Sequence, residues 1–134
     1  ITAIDLNVGE ILWQVAHGET ADRVRDHPAL QDFDIPRTGR VGRVGTLVTK
    51  TLVIAGDGGV FTSADEREGA RLRAYDKMTG QEIDAVFMPS SQTGSPMTYS
   101  IDGVQYIVVA VGGGTYAGEL LAYRLPESED NGGA

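Results

Sequence analysis

The sequence predicts an all-β chain of four-stranded antiparallel units repeated in a radial or stacked arrangement, and three observations predict it. The stretch Ala3-Ile4-Asp5-Leu6-Asn7-Val8-Gly9 returns as Ala74-Tyr75-Asp76-Lys77-Met78-Thr79-Gly80, with Ala, Asp and Gly at identical spacing. Each copy is flanked by runs that suit pleated, half-buried strands, and Leu120-Leu121-Ala122-Tyr123 echoes Leu72-Arg73-Ala74-Tyr75 as a partial third copy. Between copies lie pairs of short apolar runs joined by turn signals, Asp102-Gly103 among them. Units of this kind cannot bury an apolar face alone, so each needs a neighbour.

In chain order, residues 1–18 read as the last two strands of a unit, near 2–6 and 10–15. Asp5 turns the corner by accepting backbone N–H groups a few residues on, and Gly9 supplies a position where positive φ costs little. Residues 19–44 read as a loop with a short helix, in which Asp26 is the expected N-cap and Pro28 suits the first turn. Residues 45–89 read as a complete unit, with strands near Leu47, Val53, Ala74 and Val86 and a second corner at Asp76 and Gly80. The alternation in Leu72-Arg73-Ala74-Tyr75 fits a strand with one apolar and one polar face. Residues 90–126 read as three strands, near Thr98, Val108 and Leu121. Pro126 then stops the repeat, and residues 127–134 are expected to be a disordered acidic tail.

Composition narrows the function classes. Of 134 residues 41% are hydrophobic and the net charge is −8, which suits a globular chain. The 19 acidic residues against 11 basic ones argue against nucleic acid as a partner, because phosphate neutralisation needs clustered Lys and Arg. No run approaches the roughly 18 apolar residues of a membrane span. Without Cys there is no disulfide or thiolate metal site, and two His with no carboxylate at ligand spacing do not make a zinc site.

The pattern Ala-x-Asp-x-x-x-Gly-x-x-x-Trp at residues 3–13 resembles the tryptophan-docking motif of the pyrroloquinoline-quinone (PQQ) dehydrogenases, whose eight four-stranded blades form a propeller. Residues 21–59, with Arg25-Asp26-His27-Pro28-Ala29-Leu30, Pro36-Arg37-Thr38-Gly39 and Leu47-Val48-Thr49-Lys50-Thr51-Leu52, are similar to the C-terminal blades of the membrane-type glucose and quinate dehydrogenase branch. So are residues 94–114, with Pro96-Met97-Thr98-Tyr99 and Gln105-Tyr106-Ile107-Val108-Val109. The resemblance covers nearly the whole chain. It implies about two blades of an eight-bladed β-propeller and a parent enzyme that oxidises a sugar or alcohol by hydride transfer to PQQ. Calcium polarises the quinone in that family, and the location implied is the periplasm, with any membrane anchor in a segment outside this chain. The general base and metal ligands of the family lie in earlier blades and match nothing here. The fragment is therefore expected to carry no catalytic or metal-binding residue, and to be inactive and free of cofactor by itself. One departure concerns substrate: Gly114-Thr115-Tyr116-Ala117-Gly118 is short and lacks the His that glucose-oxidising relatives often carry there.

The resemblance also places candidate site residues. Gly94, Ser95, Pro96, Gly112, Gly113 and Gly114 are the implied part of the cofactor-pocket wall, where glycines let the backbone approach a flat ring. Gly112-Gly113-Gly114 and Gly56-Asp57-Gly58-Gly59 read equally as strand-to-strand turns; neither is followed by a helical pattern or a phosphate-loop ending. Arg37, Arg40 and Arg43 recur every three positions, and Arg43 is assigned to the cofactor because guanidinium pairs with the carboxylates of PQQ. The competing reading for all three is salt bridging between blades or solvation on an acidic protein. Asp65-Glu66-Arg67-Glu68 reads as the solvated tip of a long loop, and the loops joining the second and third strands of a unit are expected over 56–71 and 112–119. Trp13 is expected to pack on the adjacent blade, where the next copy has Asp84. Expected partners are the remaining blades or other copies of this chain, since open sheet faces and edges promote self-association. A non-catalytic propeller scaffold that recruits proteins is the alternative function.

Overall fold

The computed structural model describes residues 1–62 and 67–124; the expected tail at 127–134 and part of the acidic run at 65–68 lie outside them. Strands β1 (Thr2–Asp5) and β2 (Glu10–Gln14) form an antiparallel hairpin. A helical turn α1 (Asp22–Arg25) and a 3₁₀ turn (Pro28–Leu30) follow. Next come β3 (Leu47–Val48), β4 (Leu52–Gly56), the short β5 (Phe61–Thr62), β6 (Glu68–Asp76) and β7 (Glu82–Met88). They form one antiparallel sheet in the order β3-β4-β6-β7, with β5 pairing the start of β6. The last sheet, β8 (Met97–Ile101), β9 (Val104–Gly113) and β10 (Tyr116–Arg124), is an antiparallel meander in chain order. The described residues thus form a two-stranded hairpin, a five-stranded sheet and a three-stranded sheet.

The two Asp corners share one geometry. Asp5 C=O accepts from Gly9 N–H at 2.7 Å and Asp76 C=O from Gly80 N–H at 2.8 Å, and both glycines have φ of +74°. Asp5 Oδ1 accepts from Asn7 N–H at 2.8 Å. Asp76 Oδ1 accepts more, from the N–H groups of Met78 and Thr79 and the Thr79 hydroxyl, at 2.8 to 3.0 Å. Asp102 and Gly103 both adopt positive φ, as a two-residue hairpin turn requires.

At the 3₁₀ turn the cap is His27, whose Nδ1 accepts from Ala29 N–H at 3.2 Å, and not Asp26, whose carboxylate pairs with Arg25 at 3.1 Å. Pro28 holds the first helical position, so the residue before it becomes the cap. The loops expected over 56–71 and 112–119 are shorter than those bounds, because β6 begins at Glu68 and β10 at Tyr116.

The blade is covered on both faces, which the alternation in residues 72–75 does not announce. Leu72 is 5% exposed, Arg73 1% and Tyr75 0%. One face carries Ile54, Ala70, Leu72 and Met88 against Val109 and Val111 of the next sheet, where the Tyr123 hydroxyl donates to Phe87 C=O at 2.8 Å. On the other face the Tyr75 hydroxyl donates to His17 Nδ1 at 2.8 Å, while His17 Nε2 donates to Gly56 C=O at 3.0 Å. Leu6, in the first corner, and Leu120, on β10, remain exposed.

Trp13 joins the first hairpin to the blade. Its indole N–H donates to Lys77 C=O at 3.0 Å, and its ring covers Gly80 so closely that a Cβ there would lie 2.5 Å from the ring. A Cβ on Gly9 would meet nothing within 4 Å. In urea unfolding, Gly9→Ala is expected to cost about 1 kcal/mol, the cost of its left-handed backbone. Gly80→Ala is expected to cost about 2–4 kcal/mol because it also displaces the indole. Equal costs would show that Trp13 does not dock there.

The hydrogen bonds from the Thr79 N–H and hydroxyl, then Met78 N–H, hold the Asp76 carboxyl below its ordinary value. A carboxyl depressed in the fold adds stability above its unfolded pKa, about 4, and that stability is lost as pH falls through the folded value. An acid titration of unfolding free energy should therefore fall less steeply for Asp76→Asn than for the parent chain.

Candidate functional site

At the edge opposite the Asp corners, four chain segments converge: residues 42–45 before β3, the β4 end at Gly56, residues 89–96 before β8, and the β9 end at Gly113. Gln92 is 5% exposed and sits among them. Its Oε1 accepts from Gly56 N–H at 2.6 Å and its Nε2 donates to Gly45 C=O at 2.8 Å. Its backbone N–H donates to Asp57 C=O at 3.0 Å, and it bridges to Val111. Residues 90–93 then run beside the end of β9. The hydroxyls of Ser90 and Ser91 both donate to Gly112 C=O at 3.0 Å, Gly112 N–H donates to Ser91 C=O, and Thr93 N–H donates to Ala110 C=O.

Close backbone approach explains two of the glycines. A Cβ on Gly45 would lie 2.8 Å from Ser95 Cβ and 3.1 Å from its Cα, and a Cβ on Gly58 would lie 2.7 Å from Gly42 Cα. The segment 42–45 thus crosses from Gly58, after β4, to Ser95 in the segment leading into β8.

Most of the residues assigned to a cofactor wall meet here. Ser95 is exposed against Gly45, Gly94 borders Ala110, Pro96 and Gly112 are buried, and Gly113 and Gly114 form the exposed β9–β10 turn with φ of +112° and +61°. Arg43 is exposed beside Gly58 and makes no ion pair or hydrogen bond among the described residues. Arg37 and Arg40 go elsewhere. Arg37 pairs with Glu82 at 2.8 Å, and Arg40 donates to Val60 C=O at 2.6 Å, 5.7 Å from the Phe61 ring centre. Both line an open cleft of about 930 Å³, with Glu19, Asp22, Phe61 and Arg73, that none of the assigned wall residues borders. In the loop 56–59 the N–H groups of Gly56 and Asp57 are taken by Gln92 Oε1 and Arg71 C=O, and Asp57 turns a buried carboxylate inward.

That carboxylate belongs to a cluster that sequence reasoning missed. Arg73 Nε donates to Asp57 Oδ1 at 2.9 Å, and its other nitrogens reach Glu82 at 2.9 Å and Glu19 at 3.1 Å. Burial lowers the basicity of Arg73, but its bonds to Asp57, then the charges of Asp57, Glu82 and Glu19, outweigh burial and raise it. Burial, and after it the charge of Glu82, raises the Tyr75 hydroxyl, so both groups keep their protons. The signal available was Arg73 itself, a cation in mid-strand where the third copy has Leu121. Among the described residues no three His, Asp or Glu side chains are grouped to hold a metal.

Residues 1–107 match the family model for PQQ, glucose/ethanol/alcohol dehydrogenase, β-propeller domain. Quinoprotein glucose dehydrogenase A of Acinetobacter calcoaceticus is 29% identical over 134 residues, which are 96% of this chain and 15% of that protein. The glycerol dehydrogenase large subunit of Gluconobacter thailandicus is 30% identical over 134 residues, 96% of this chain and 17% of that protein. A probable quinate dehydrogenase (quinone) of Xanthomonas campestris pv. juglandis is 30% identical over 138 residues, 96% of this chain and 16% of that protein. The chain spans 15% to 17% of the length of these relatives. No solved structure matches it.

Removing one partner of a buried ion pair leaves an uncompensated charge, whereas replacing both by apolar groups is close to neutral. Asp57→Ala should destabilise the chain by about 3–5 kcal/mol in urea unfolding, and the double change Asp57→Ala with Arg73→Met should cost less than the sum of the two single changes while still losing the bond from Arg71 N–H. Additive costs would show that the pair is not a coupled unit.

Proposed function

The chain belongs to the β-propeller family of PQQ-dependent glucose, ethanol and alcohol dehydrogenases, and we propose that it forms adjoining blades of a quinoprotein dehydrogenase and one side of its PQQ pocket. The observation that carries this reading is Arg43, an exposed cation without a partner among the described residues, beside the convergent ends that bear Ser95 and Gly112. PQQ is a flat polycarboxylate. The groups present fit it: the Arg43 guanidinium, without a partner among the described residues, for a carboxylate, the exposed Ser95, and glycine backbone at 113–114 that lets a ring approach.

When bound, PQQ supplies the electron sink that accepts hydride from a sugar or alcohol. The work of this chain is to hold a carboxylate through Arg43, to seat the ring edge against Gly94 and Ser95, and to keep water from that side of the pocket, with the buried Pro96 behind them. The general base and the calcium ligands lie in blades outside this chain, which are its partners in the closed propeller. The enzyme works in the periplasm, with any membrane anchor in a segment outside this chain.

Direct titration of the full-length protein with PQQ, followed by the quinone's absorbance, tests the reading. Arg43→Ala should weaken binding about tenfold, equivalent to about 1.4 kcal/mol, and Arg43→Lys should weaken it less. A parent protein that does not bind PQQ would instead be the protein-recruiting scaffold.

A further inference from the structure

We propose that Gln92 is the positioning residue of this wall: its buried amide sets where Arg43 and Ser95 stand relative to each other, without touching the cofactor. The inference rests on the quinone-pocket reading and goes beyond it by naming what holds the pocket's shape.

Three observations carry it. The Arg43 side chain has no partner among the described residues, so the backbone of residues 42–45 alone places it. That backbone is held at one end by the contact of Gly42 with Gly58 and at the other by Gly45, whose C=O takes the Gln92 Nε2 proton at 2.8 Å. The same amide is held from the other side by Gly56 N–H at 2.6 Å, so its oxygen and nitrogen cannot exchange places without losing both bonds. A buried group satisfied at both ends is a rigid strut.

The surrounding residues are shaped for that strut. A Cβ on Gly56 would lie 2.7 Å from Gln92 Oε1 and 3.0 Å from Gln92 Cβ, so only glycine admits the amide there. Gly45 in turn admits Ser95, the centre of the Gly94, Ser95, Pro96 triplet. Asn is too short to span both partners, and Met fills the volume but makes neither bond. Glu keeps the acceptor for Gly56 and loses the donor to Gly45.

The test uses the full-length protein, with PQQ affinity read by absorbance titration and apoprotein stability by thermal unfolding. Gln92→Met should weaken PQQ binding about tenfold or more, and Gln92→Glu should fall between it and the parent. Gly80→Ala is the control, since it lies at the opposite edge of the blade and lowers stability by another route; its PQQ affinity should stay within about twofold of the parent. Affinity unchanged in Gln92→Met, or lost equally in Gly80→Ala, would overturn the positioning role and reduce Gln92 to a structural tie. If Gln92→Met does not fold, Gln92→Glu carries the same comparison. Failure of the parent protein to bind PQQ would be seen before any variant is made, and it would overturn the pocket reading together with this one.

Discussion

The ion pair between Asp57 and Arg73 is the constraint on which the rest of the segment depends. A propeller blade has two faces and no solvent side, so whatever stands on either face must be covered. One face of this blade solves that with apolar packing around Leu72 and Met88. The other carries a guanidinium that is 2% exposed, and such a cation persists only when carboxylates from several segments surround it. Glu19 comes from the connection after the first hairpin, Asp57 from the end of β4, and Glu82 from the start of β7. Asp57 also ties the backbone: its N–H and Oδ2 engage Arg71, and its C=O receives Gln92 N–H from the segment leading into the next sheet. One residue therefore fixes the register of β4 against β6 and the seat of the following blade.

The two edges of the sheets divide the labour. At one edge the Asp corners are self-contained turns, and Gly80 doubles as the seat of Trp13, so that edge holds neighbouring blades together. At the other, glycines allow backbones to pass in contact, and the polar groups they bring together are bonded to one another except for Arg43 and the exposed Ser95. A corner built from local bonds tolerates repetition, which is why its spacing recurs. The opposite edge is built from contacts between segments far apart in the chain, and there each blade differs.

That contrast also explains what could be read from residues alone. The corners were legible because the donors and acceptors lie within four residues, and the Asp102-Gly103 turn because two successive positive φ values leave few alternatives. Pro28 announced a helical turn, although the cap fell one residue later than Asp26. Arg73 and Gln92 were not legible: their partners are 16 and 9 residues away for Arg73, and 36 and 47 for Gln92. Alternation along β6 distinguished two faces but could not tell that the polar face is buried, because cover there comes from the connection after the first hairpin, which brings His17 and Glu19 onto it. The pattern of three arginines held two different answers: Arg37 and Arg40 are bound by the protein's own acceptors, and only the spacing, not the chemistry, linked them to Arg43.

A crystal structure of the full-length protein grown with PQQ tests the central claim most directly. The account predicts the quinone between the β4 and β9 ends, with a carboxylate within hydrogen-bond distance, about 3 Å, of the Arg43 guanidinium and the ring edge against Ser95. Quinone bound elsewhere, with Arg43 turned to solvent in a closed propeller, would contradict it.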